Sequence, residues 1–355
     1  SWAVQGGTSR GRAGLVTTAM LAFTVLAQLA VPALERRFGV ARVLAGGMIA
    51  LGAPAPFYLL SHDLGWLCVI SAVRGTGFAV LTVLGSTLTT RVAPAGRIGE
   101  AVGVYGLAIA GPSLVGVPAG AALTLAGHFA WVAVPAAAPV LALMVIPLVG
   151  RAGADPYRHK HHGTSTGQAA RAALGPSMVL LVVTLAGGGM ITFLPIERPH
   201  GALAGIALLV FGITGALTRW RAGVQVDRSG ASGARTLLSA ALGCAAVGLA
   251  AVAVLLHARA TVGVVALVVA AGTFGVGFGA VQNITLLLAF GRAGRAHTST
   301  ASALWNASFD TGTGLGAFGV GAVSVGVGLS WTYAGCALLI LATVPVALLS
   351  SSRTI

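Results

Sequence analysis

The chain has 355 residues, of which 56% are hydrophobic and 8% are charged, and its formal net charge at pH 7 is +14. Soluble domains carry about 25% charged residues, so this chain lacks the charge to cover a water-facing surface and is predicted to be an all-α integral membrane protein. The basic residues fall in short clusters between apolar runs, without a basic stripe interleaved with aromatics, which argues against a nucleic-acid partner.

Eleven apolar runs predict eleven helices, most of them long enough to span at about 20 residues each. Helices are expected because backbone groups in hydrocarbon must bond within their own segment, and the runs lack the alternation of a barrel strand. The first five runs lie near residues 13–34, 40–61, 64–90, 100–123 and 128–149. The other six lie near residues 174–196, 201–219, 235–256, 261–289, 299–326 and 329–350.

A polar break separates these two groups of runs. We predict a first transmembrane bundle at 1–150, a cytoplasmic linker at 151–172 and a second bundle at 173–355. The linker contains the sequence HKHH at 159–162. This run could bind a metal ion, but a solvated loop is favoured because no second ligand cluster has the required spacing. No metal site and no cofactor are predicted.

The basic residues are unevenly divided between alternate loops. One set of loops, with the C-terminal tail, holds sixteen of them, including Arg219 at the end of its run, and the other set holds four. The side rich in basic residues should be cytoplasmic. We therefore expect a multi-pass plasma-membrane protein with a cytoplasmic C-terminus and an external Ser1. Because all but one of the basic residues are Arg, the composition suggests a GC-rich bacterial genome.

The two groups of runs also resemble each other in sequence. The segment GTGFA at 75–79 matches GVGFG at 275–279, an offset of 200 residues. The same offset pairs Gly116 with Gly316 and Tyr105 with Trp305. A long-range repeat of helix groups is typical of transporters, whose substrate site usually lies near mid-membrane at the repeat interface.

The segment GVQVDRSG at 223–230 resembles the signature loop of the major facilitator superfamily, G-x-L-x-D-R-x-G. The first-half counterpart, PALERRFG at 32–39, is degraded, with Pro in place of the first Gly and Arg36 in place of the Asp. The resemblance implies two pseudo-symmetric six-helix bundles around a central cavity. It assigns a gating role to loop residues of both copies: Gly223, Asp227, Arg228, Gly230, Arg37 and Gly39.

In that family the loop follows the second helix of each half. Two runs precede it in the second half of this sequence, but only one precedes it in the first half. The resemblance therefore implies that the family's first helix is absent, either from the gene or only from this chain.

Charged residues inside apolar runs are candidates for a transport pathway, because a charge at bilayer depth must be paired or hydrated. Asp310 lies about 18 Å along its helix from the cytoplasmic end, near the midplane. Ser302 and Asn306 precede it at helical spacing and complete a polar stripe. We interpret the stripe as substrate-facing or proton-accepting, rather than as a hydrogen-bond seam between helices. Arg74, in the third run, either attracts an anion, pairs with a carboxylate or snorkels.

Other candidates rest on weaker patterns. Asn283, with Gln282 beside it, either contacts substrate or packs, and Trp305 and Tyr105 either stack on substrate or pack. The segment GPSLVGVPAG at 111–120 is similar to the Gly/Pro-rich fifth-helix motif of the family's proton-driven exporters. This segment predicts a hinge helix through Gly111, Pro112 and Gly116.

The resemblance implies a secondary transporter, acting as a monomer on a small-molecule substrate and protons within the lipid bilayer. The predicted activity is proton-coupled efflux of a drug or metabolite. A proton-coupled uptake symporter and a non-transporting truncated membrane protein remain alternatives. No P-loop is present to suggest ATP as the energy source. An enzyme is disfavoured because no nucleophile motif and no His/Asp cluster at a membrane face are found.

Overall fold

The computed structural model describes residues 2–152, 165–199 and 202–351, and every regular element in these ranges is helical. The all-α prediction is therefore confirmed. The HKHH run at 159–162 lies outside the described residues, as does the C-terminal residue.

The first part of the chain forms seven α-helices and two 3₁₀ helices. The α-helices are α1 (Trp2–Gln5), α2 (Arg10–Phe38), α3 (Val40–Gly52), α4 (Leu64–Val92), α5 (Ile98–Leu125), α6 (Ala130–Ala133) and α7 (Ile146–Ala152). The 3₁₀ helices cover Ala55–Leu60 and Pro135–Met144.

The second part forms six α-helices and one short 3₁₀ helix at Arg295–His297. The α-helices are α8 (Thr166–Glu197), α9 (Leu203–Leu255), α10 (Thr261–Ala293), α11 (Thr298–Val327), α12 (Leu329–Ala342) and α13 (Val344–Ser351). Helix α9 is kinked at Gly230, whose φ of 64° and ψ of −160° are not helical.

All eleven apolar runs contain helix. Within the described ranges, nine segments are long and apolar enough to cross a membrane, and α9 supplies two of them, Leu203–Gly230 and Gly233–Leu255. Helix α11 has 30 residues, but its polar stripe keeps it below the apolarity of those nine. The run at 128–149 is broken into short helices, because Pro135 and Pro139 each lack a backbone N–H and enforce a tighter local turn.

Two helices extend beyond the apolar runs that predicted them. Helix α8 begins at Thr166, where Ser165 and Gln168 form a capping box, so the described end of the 151–172 linker is helical. Helix α9 continues past residue 219 to the kink at Gly230, so the predicted loop at 223–230 is helical almost throughout. Hydropathy marks where the apolar surface ends, and both helices extend beyond that point as polar turns.

The described chain divides into two compact units. The first comprises Ser1–Val92 with Pro112–His162, and the second comprises Ala93–Gly111 with Gly163–Ile355. The part of α5 up to Gly111 therefore packs with the second unit. The assignment of two bundles at 1–150 and 173–355 stays a prediction.

The first glycine of each repeat motif makes the same contact in its own unit. Gly75 packs against the backbone of α2, where a Cβ would overlap the Met20 carbonyl oxygen. Gly275 packs in the same way against Phe211 of α9. Thr24 strengthens the first of these crossings by donating to the Gly75 carbonyl at 3.1 Å. Glycine is needed at both positions because two helix backbones meet there.

The third residue of each motif contacts the next helix. A Cβ on Gly77 would overlap the carbonyl oxygen of Gly47 in α3. A Cβ on Gly277 would overlap the carbonyl oxygen of Ala241, in the later part of α9. The sequence repeat is thus a repeat of close helix crossings, which fixes the same local packing in both units.

Candidate functional site

The acid of the second signature segment caps a helix. Both carboxylate oxygens of Asp227 accept hydrogen bonds at 2.8 Å, one from the backbone N–H of Gly99 and one from that of Glu100. These N–H groups belong to the first turn of α5, where they have no partner within the helix. A carboxylate there also interacts favourably with the positive end of the helix dipole.

Glycine pairing brings the two helices together at this cap. A Cβ on Gly223 would overlap the Gly99 carbonyl, and a Cβ on Gly99 would overlap the Gly223 carbonyl. Asn283 of α10 donates to the same Gly99 carbonyl at 3.3 Å. The signature segment, the start of α5 and α10 are therefore fixed to one another within the second unit.

The surface beside the cap is polar. It forms a pocket of about 490 Å³ whose lining includes Arg97, Glu100, Arg221 and Arg228. Arg97 donates two hydrogen bonds to Glu100, at 2.7 and 2.8 Å. This bidentate bond raises the pKa of the Arg97 guanidinium.

The first signature copy makes a different contact. Glu35 forms an ion pair with Arg91 at the end of α4, with 2.8 Å between the Glu35 Oε1 and Arg91 Nη2 atoms. Both side chains are largely enclosed, at 11% and 14% exposure respectively. Arg37 is exposed and lies over the Phe38 ring, and Gly39 ends α2 with a φ of 82°. This copy therefore ties two helices of the first unit together through side chains.

A polar cluster surrounds Arg219 of α9, also within the second unit. The Arg219 Nη1 atom donates to the Gln282 side-chain oxygen at 3.0 Å, and its guanidinium carbon lies 5.7 Å from the centre of the Trp305 ring. Its side chain packs against Gly106, and Tyr105 is close enough to interact with it electrostatically.

The Trp305 ring is held in place in this cluster. Its Nε1–H donates to the Thr285 hydroxyl at 3.0 Å, and the ring stacks on Phe309 at 5.8 Å between centroids. The structure thus brings together Tyr105 and Trp305, which the repeat paired only by offset. Both side chains are neighbours of Arg219, a cation that the sequence analysis had counted among the loop residues.

Arg219 was misplaced by sequence reasoning. It was counted among the loop cations because its apolar run ends there, whereas the structure places it inside a helical span, partly buried. The missed signal is that the sequence from 219 to 229 contains neither Pro nor a turn dipeptide, so helix can continue through it.

Two residues of the polar stripe on α11 are hydrogen-bonded to each other. The Asn306 side-chain amide donates to the Ser302 carbonyl at 2.8 Å and to the Ser302 hydroxyl at 3.2 Å. Asp310 lies one turn beyond and is partly buried. The stripe exists as predicted, but its transport role stays a prediction.

Arg74 belongs to the first unit and lies over the Tyr58 ring at 5.6 Å. The Tyr58 and Ser71 hydroxyls are hydrogen-bonded at 2.6 Å. Among the described residues, no carboxylate forms an ion pair with Arg74. The observed neighbour of the Arg74 guanidinium is thus an aromatic face, and the roles proposed for Arg74 stay predictions.

The predicted hinge segment is a continuous part of α5, with Pro112 and Pro118 inside the helix. A Cβ on Gly111 or Gly116 would meet open space. Neither glycine therefore marks a close helix crossing among the described residues. The division between the two compact units does fall between Gly111 and Pro112. The hinge role itself stays a prediction.

These features define a polytopic helical membrane protein with repeated helix crossings and a polar cluster within one unit. The family described as the Major Facilitator Superfamily matches residues 2–317, and the chain belongs to that family. It is therefore a transporter and not an enzyme. A search of curated proteins returns no match.

Solved structures of similar fold are transporters of the same family. One is the transporter FucP in the outward conformation, with a TM-score of 0.72 at 13% identity, covering 98% of this chain and 91% of that one. A second FucP structure, described as an E. coli fucose:proton symporter, has a TM-score of 0.71 at 14% identity, with coverage of 97% and 92%. The proton:xylose symporter XylE has a TM-score of 0.72 at 13% identity, with coverage of 94% and 84%. At these identities the likeness shows the fold alone.

Proposed function

We propose that the chain is a secondary active transporter that exports a small organic molecule in exchange for protons, by alternating access. The observation that carries the proton coupling is the position of Asp310. The other described acids lie at or near a helix end or, for Asp227, near the kink at Gly230, whereas Asp310 lies in the interior of the 30-residue α11.

A carboxylate in the interior of a spanning helix is expensive to keep charged unless it is paired or hydrated. Its protonation therefore depends on which side of the membrane it can exchange with. Such a group can bind a proton from one face and release it to the other as the protein changes conformation. We assign this role to Asp310, with Asn306 and Ser302 on the same helix.

The Asp227 cap supplies a contact that can break during the cycle. Two charge-assisted hydrogen bonds hold the start of α5, and each breaks without a covalent step when the helices separate. We propose that this cap, with Arg228 and the kink at Gly230, stabilises one of the two access states. Gly111 and Pro112 are the proposed bending point of α5.

Flux in proteoliposomes tests the coupling. The purified chain is reconstituted with internal pyranine under an imposed pH gradient, and substrates are offered from a panel of tetraphenylphosphonium, ethidium, aromatic carboxylates, fucose and xylose. The expected result is proton movement with at least one substrate, and its loss in Asp310→Asn. Undiminished flux with unchanged pH dependence in that variant would exclude Asp310 as the carrier.

Asp63→Asn is the matched control. Asp63 is exposed and its carboxylate accepts from the Trp66 N–H at 2.8 Å, a capping bond that Asn can replace. The control should keep wild-type flux. If the wild-type chain moves no member of the panel, the non-transporting alternative is favoured.

Uptake is the second candidate, because FucP and XylE are described as a fucose:proton and a proton:xylose symporter. The two directions give opposite signs in the same assay. Export by antiport moves protons against the substrate flux, whereas uptake by symport moves both in one direction.

We also propose that the protein is a monomer in the plasma membrane, with the basic loops and the C-terminus in the cytoplasm. A C-terminal green fluorescent protein fusion should fluoresce in bacteria, and a C-terminal alkaline phosphatase fusion should be inactive. The reverse pattern would invert the topology.

A further inference from the structure

A groove of about 520 Å³ runs along the first unit where α2, α3 and α4 meet. Small residues form its two sides, Ala27 and Ala30 in α2 and Gly46 and Ala50 in α3, and the buried Val80 of α4 lies at its base. A Cβ on Gly46 would meet open space, so no neighbouring side chain among the described residues fills the groove there. Ala30 and Gly46 are exposed, so the groove is open at the surface of the unit.

The length of the groove matches one leaflet of a membrane. Its α2 residues run from Ala27 to Phe38, which is about 16 Å along a helix axis. One leaflet contributes about 15 Å of hydrocarbon, half the thickness of the bilayer core. The groove thus has the length and the apolar lining of a binding site for one acyl chain.

The groove ends at two arginines. Arg42 of α3 is exposed and lines the groove, and the Arg37 guanidinium lies 5.1 Å from the ring centre of Phe38, another lining residue. Neither arginine belongs to an ion pair in the part of the chain that the structure describes. Glu35, the nearest acid in the sequence, is already bound by Arg91. Two cations without a counter-charge of their own therefore lie where the apolar groove ends.

The start of α3 adds to this positive charge. Its N-cap residue, Gly39, has no side chain to cap the helix, and the first turn contains no acidic residue. The first N–H groups of a helix have no partner within it and form the positive end of its dipole. In the second unit Asp227 accepts bonds from the corresponding groups of α5, whereas the first turn of α3 contains Arg42. An anion from outside the chain can therefore bind here.

A second groove has the same apolar lining without the basic end. It measures about 390 Å³ and lies between the later part of α9 and α10, in the second unit. The residues that line it are apolar except for Thr273, and none of them carries a charge. Such a groove accepts any acyl chain and cannot select a headgroup. The groove of the first unit differs because its cations favour an anionic headgroup.

We propose that the groove of the first unit binds one anionic phospholipid, with an acyl chain along the groove and the phosphate at Arg42 and Arg37. Guanidinium groups bind phosphate through strong, charge-assisted hydrogen bonds. Leu34 and Phe38 line the groove and belong to the first signature copy, so the lipid bridges that copy and α3. The lipid site is independent of the role proposed for Asp310.

Native mass spectrometry of the full chain in detergent micelles tests the proposal. The probes are dioleoylphosphatidylglycerol and dioleoylphosphatidylcholine, which share their acyl chains and differ in headgroup charge. One phosphatidylglycerol molecule should bind about tenfold more tightly than phosphatidylcholine, equivalent to about 1.4 kcal/mol. Arg42→Gln should reduce this preference to about threefold or less, because a charge-assisted contact is lost. Equal affinities in the wild type, or an undiminished preference in Arg42→Gln, would overturn the proposal.

Arg12→Gln is the matched control for the charge. Arg12 is an exposed cation of the same unit and lies about 22 Å along α2 from Ala27, the nearest groove residue on that helix. This variant should keep the wild-type preference. A loss equal to that in Arg42→Gln would show that net charge, and not the groove, attracts the lipid.

A second pair of variants tests the apolar part of the site. Gly46→Leu places a side chain in the groove and should weaken the binding of both lipids by about fivefold or more, because the acyl chain loses its apolar contact. Gly14→Leu makes the same change in α2, outside the groove, where a Cβ also meets open space. It should keep the wild-type affinity. Equal affinities in the two variants would show that the groove does not hold the chain.

Two other occupants give distinct results in the same measurement. Glycerol 3-phosphate carries the phosphate without acyl chains, and binding as tight as that of phosphatidylglycerol would make the ligand a soluble phosphate. A dimer of the wild-type chain that is lost in Gly46→Leu would show that a second copy covers the groove. Either result would overturn the lipid site.

Discussion

The two signature copies occupy equivalent places in the repeat but use their acids differently. Asp227 bonds the backbone of a helix N-terminus, whereas Glu35 bonds the side chain of Arg91. The second copy also brings two glycines into backbone contact, while the first has Pro32 where Gly would stand. The second copy is therefore a contact between helix backbones, and the first is a bond between two side chains.

The difference has a physical consequence. Backbone N–H groups in the first helical turn have no other partner, so losing Asp227 leaves two donors unsatisfied. Losing Glu35 leaves a single guanidinium near the end of α4. We therefore expect the second copy to be the stronger of the two contacts and to control the conformational cycle.

Asp227→Ala should have the largest effect. Removing two charge-assisted acceptors from α5 should lower the free energy of unfolding by about 3 kcal/mol. Reversible SDS unfolding measures this, and hydrogen exchange at the Gly99 and Glu100 amides should quicken. Asp227→Asn retains an acceptor without the charge and should lose less. An Ala variant as stable as the wild type would contradict the capping role.

Gly223→Ala should be next. The added methyl meets the Gly99 carbonyl, so the helices must separate, at about 2 kcal/mol. Gly111→Ala is the matched control, since its methyl enters open space and should stabilise the helix by up to about 1 kcal/mol. The same unfolding titration compares them. Equal effects would show that the close crossing is unimportant.

Glu35→Gln should lower stability by about 1 kcal/mol, because one partly screened ion pair is lost. A double-mutant cycle with Arg91→Gln isolates the pair, since Arg91 has additional contacts. A coupling energy between Glu35 and Arg91 larger than the stability lost in Asp227→Ala would reverse the ranking of the two copies.

Arg97→Gln should have the smallest effect, because Arg97 is exposed. Hydrogen bonding to Glu100 raises the pKa of Arg97 above its ordinary value. A raised pKa contributes stability that is fully present below the ordinary value of 12.5 and is lost only as pH rises through the folded-state value. Stability should thus show no Arg97-dependent change between about pH 5 and pH 9. Thermal melts of both proteins across this window check it.

The sequence predicted the helices and the repeat because both depend on local composition. The glycines of the 75–79 and 275–279 segments are in register with real helix crossings. Helix ends were less predictable: α9 runs on to Gly230 because nothing between 219 and 229 stops a helix once the apolar surface has ended. That error placed Arg219 in a loop, whereas it lies within the helical segment Leu203–Gly230.

Composition alone determined that this chain is a membrane protein, since its few charges cannot solvate a surface. The repeat and the signature segment indicated the family, because their spacing is written in consecutive residues. Only the tertiary structure decided which acid caps a helix and which cation meets Trp305. Asp227 and Gly99 are 128 residues apart, and Arg219 and Gln282 are 63 apart. Contacts over such separations depend on how helices pack, which local sequence patterns do not specify.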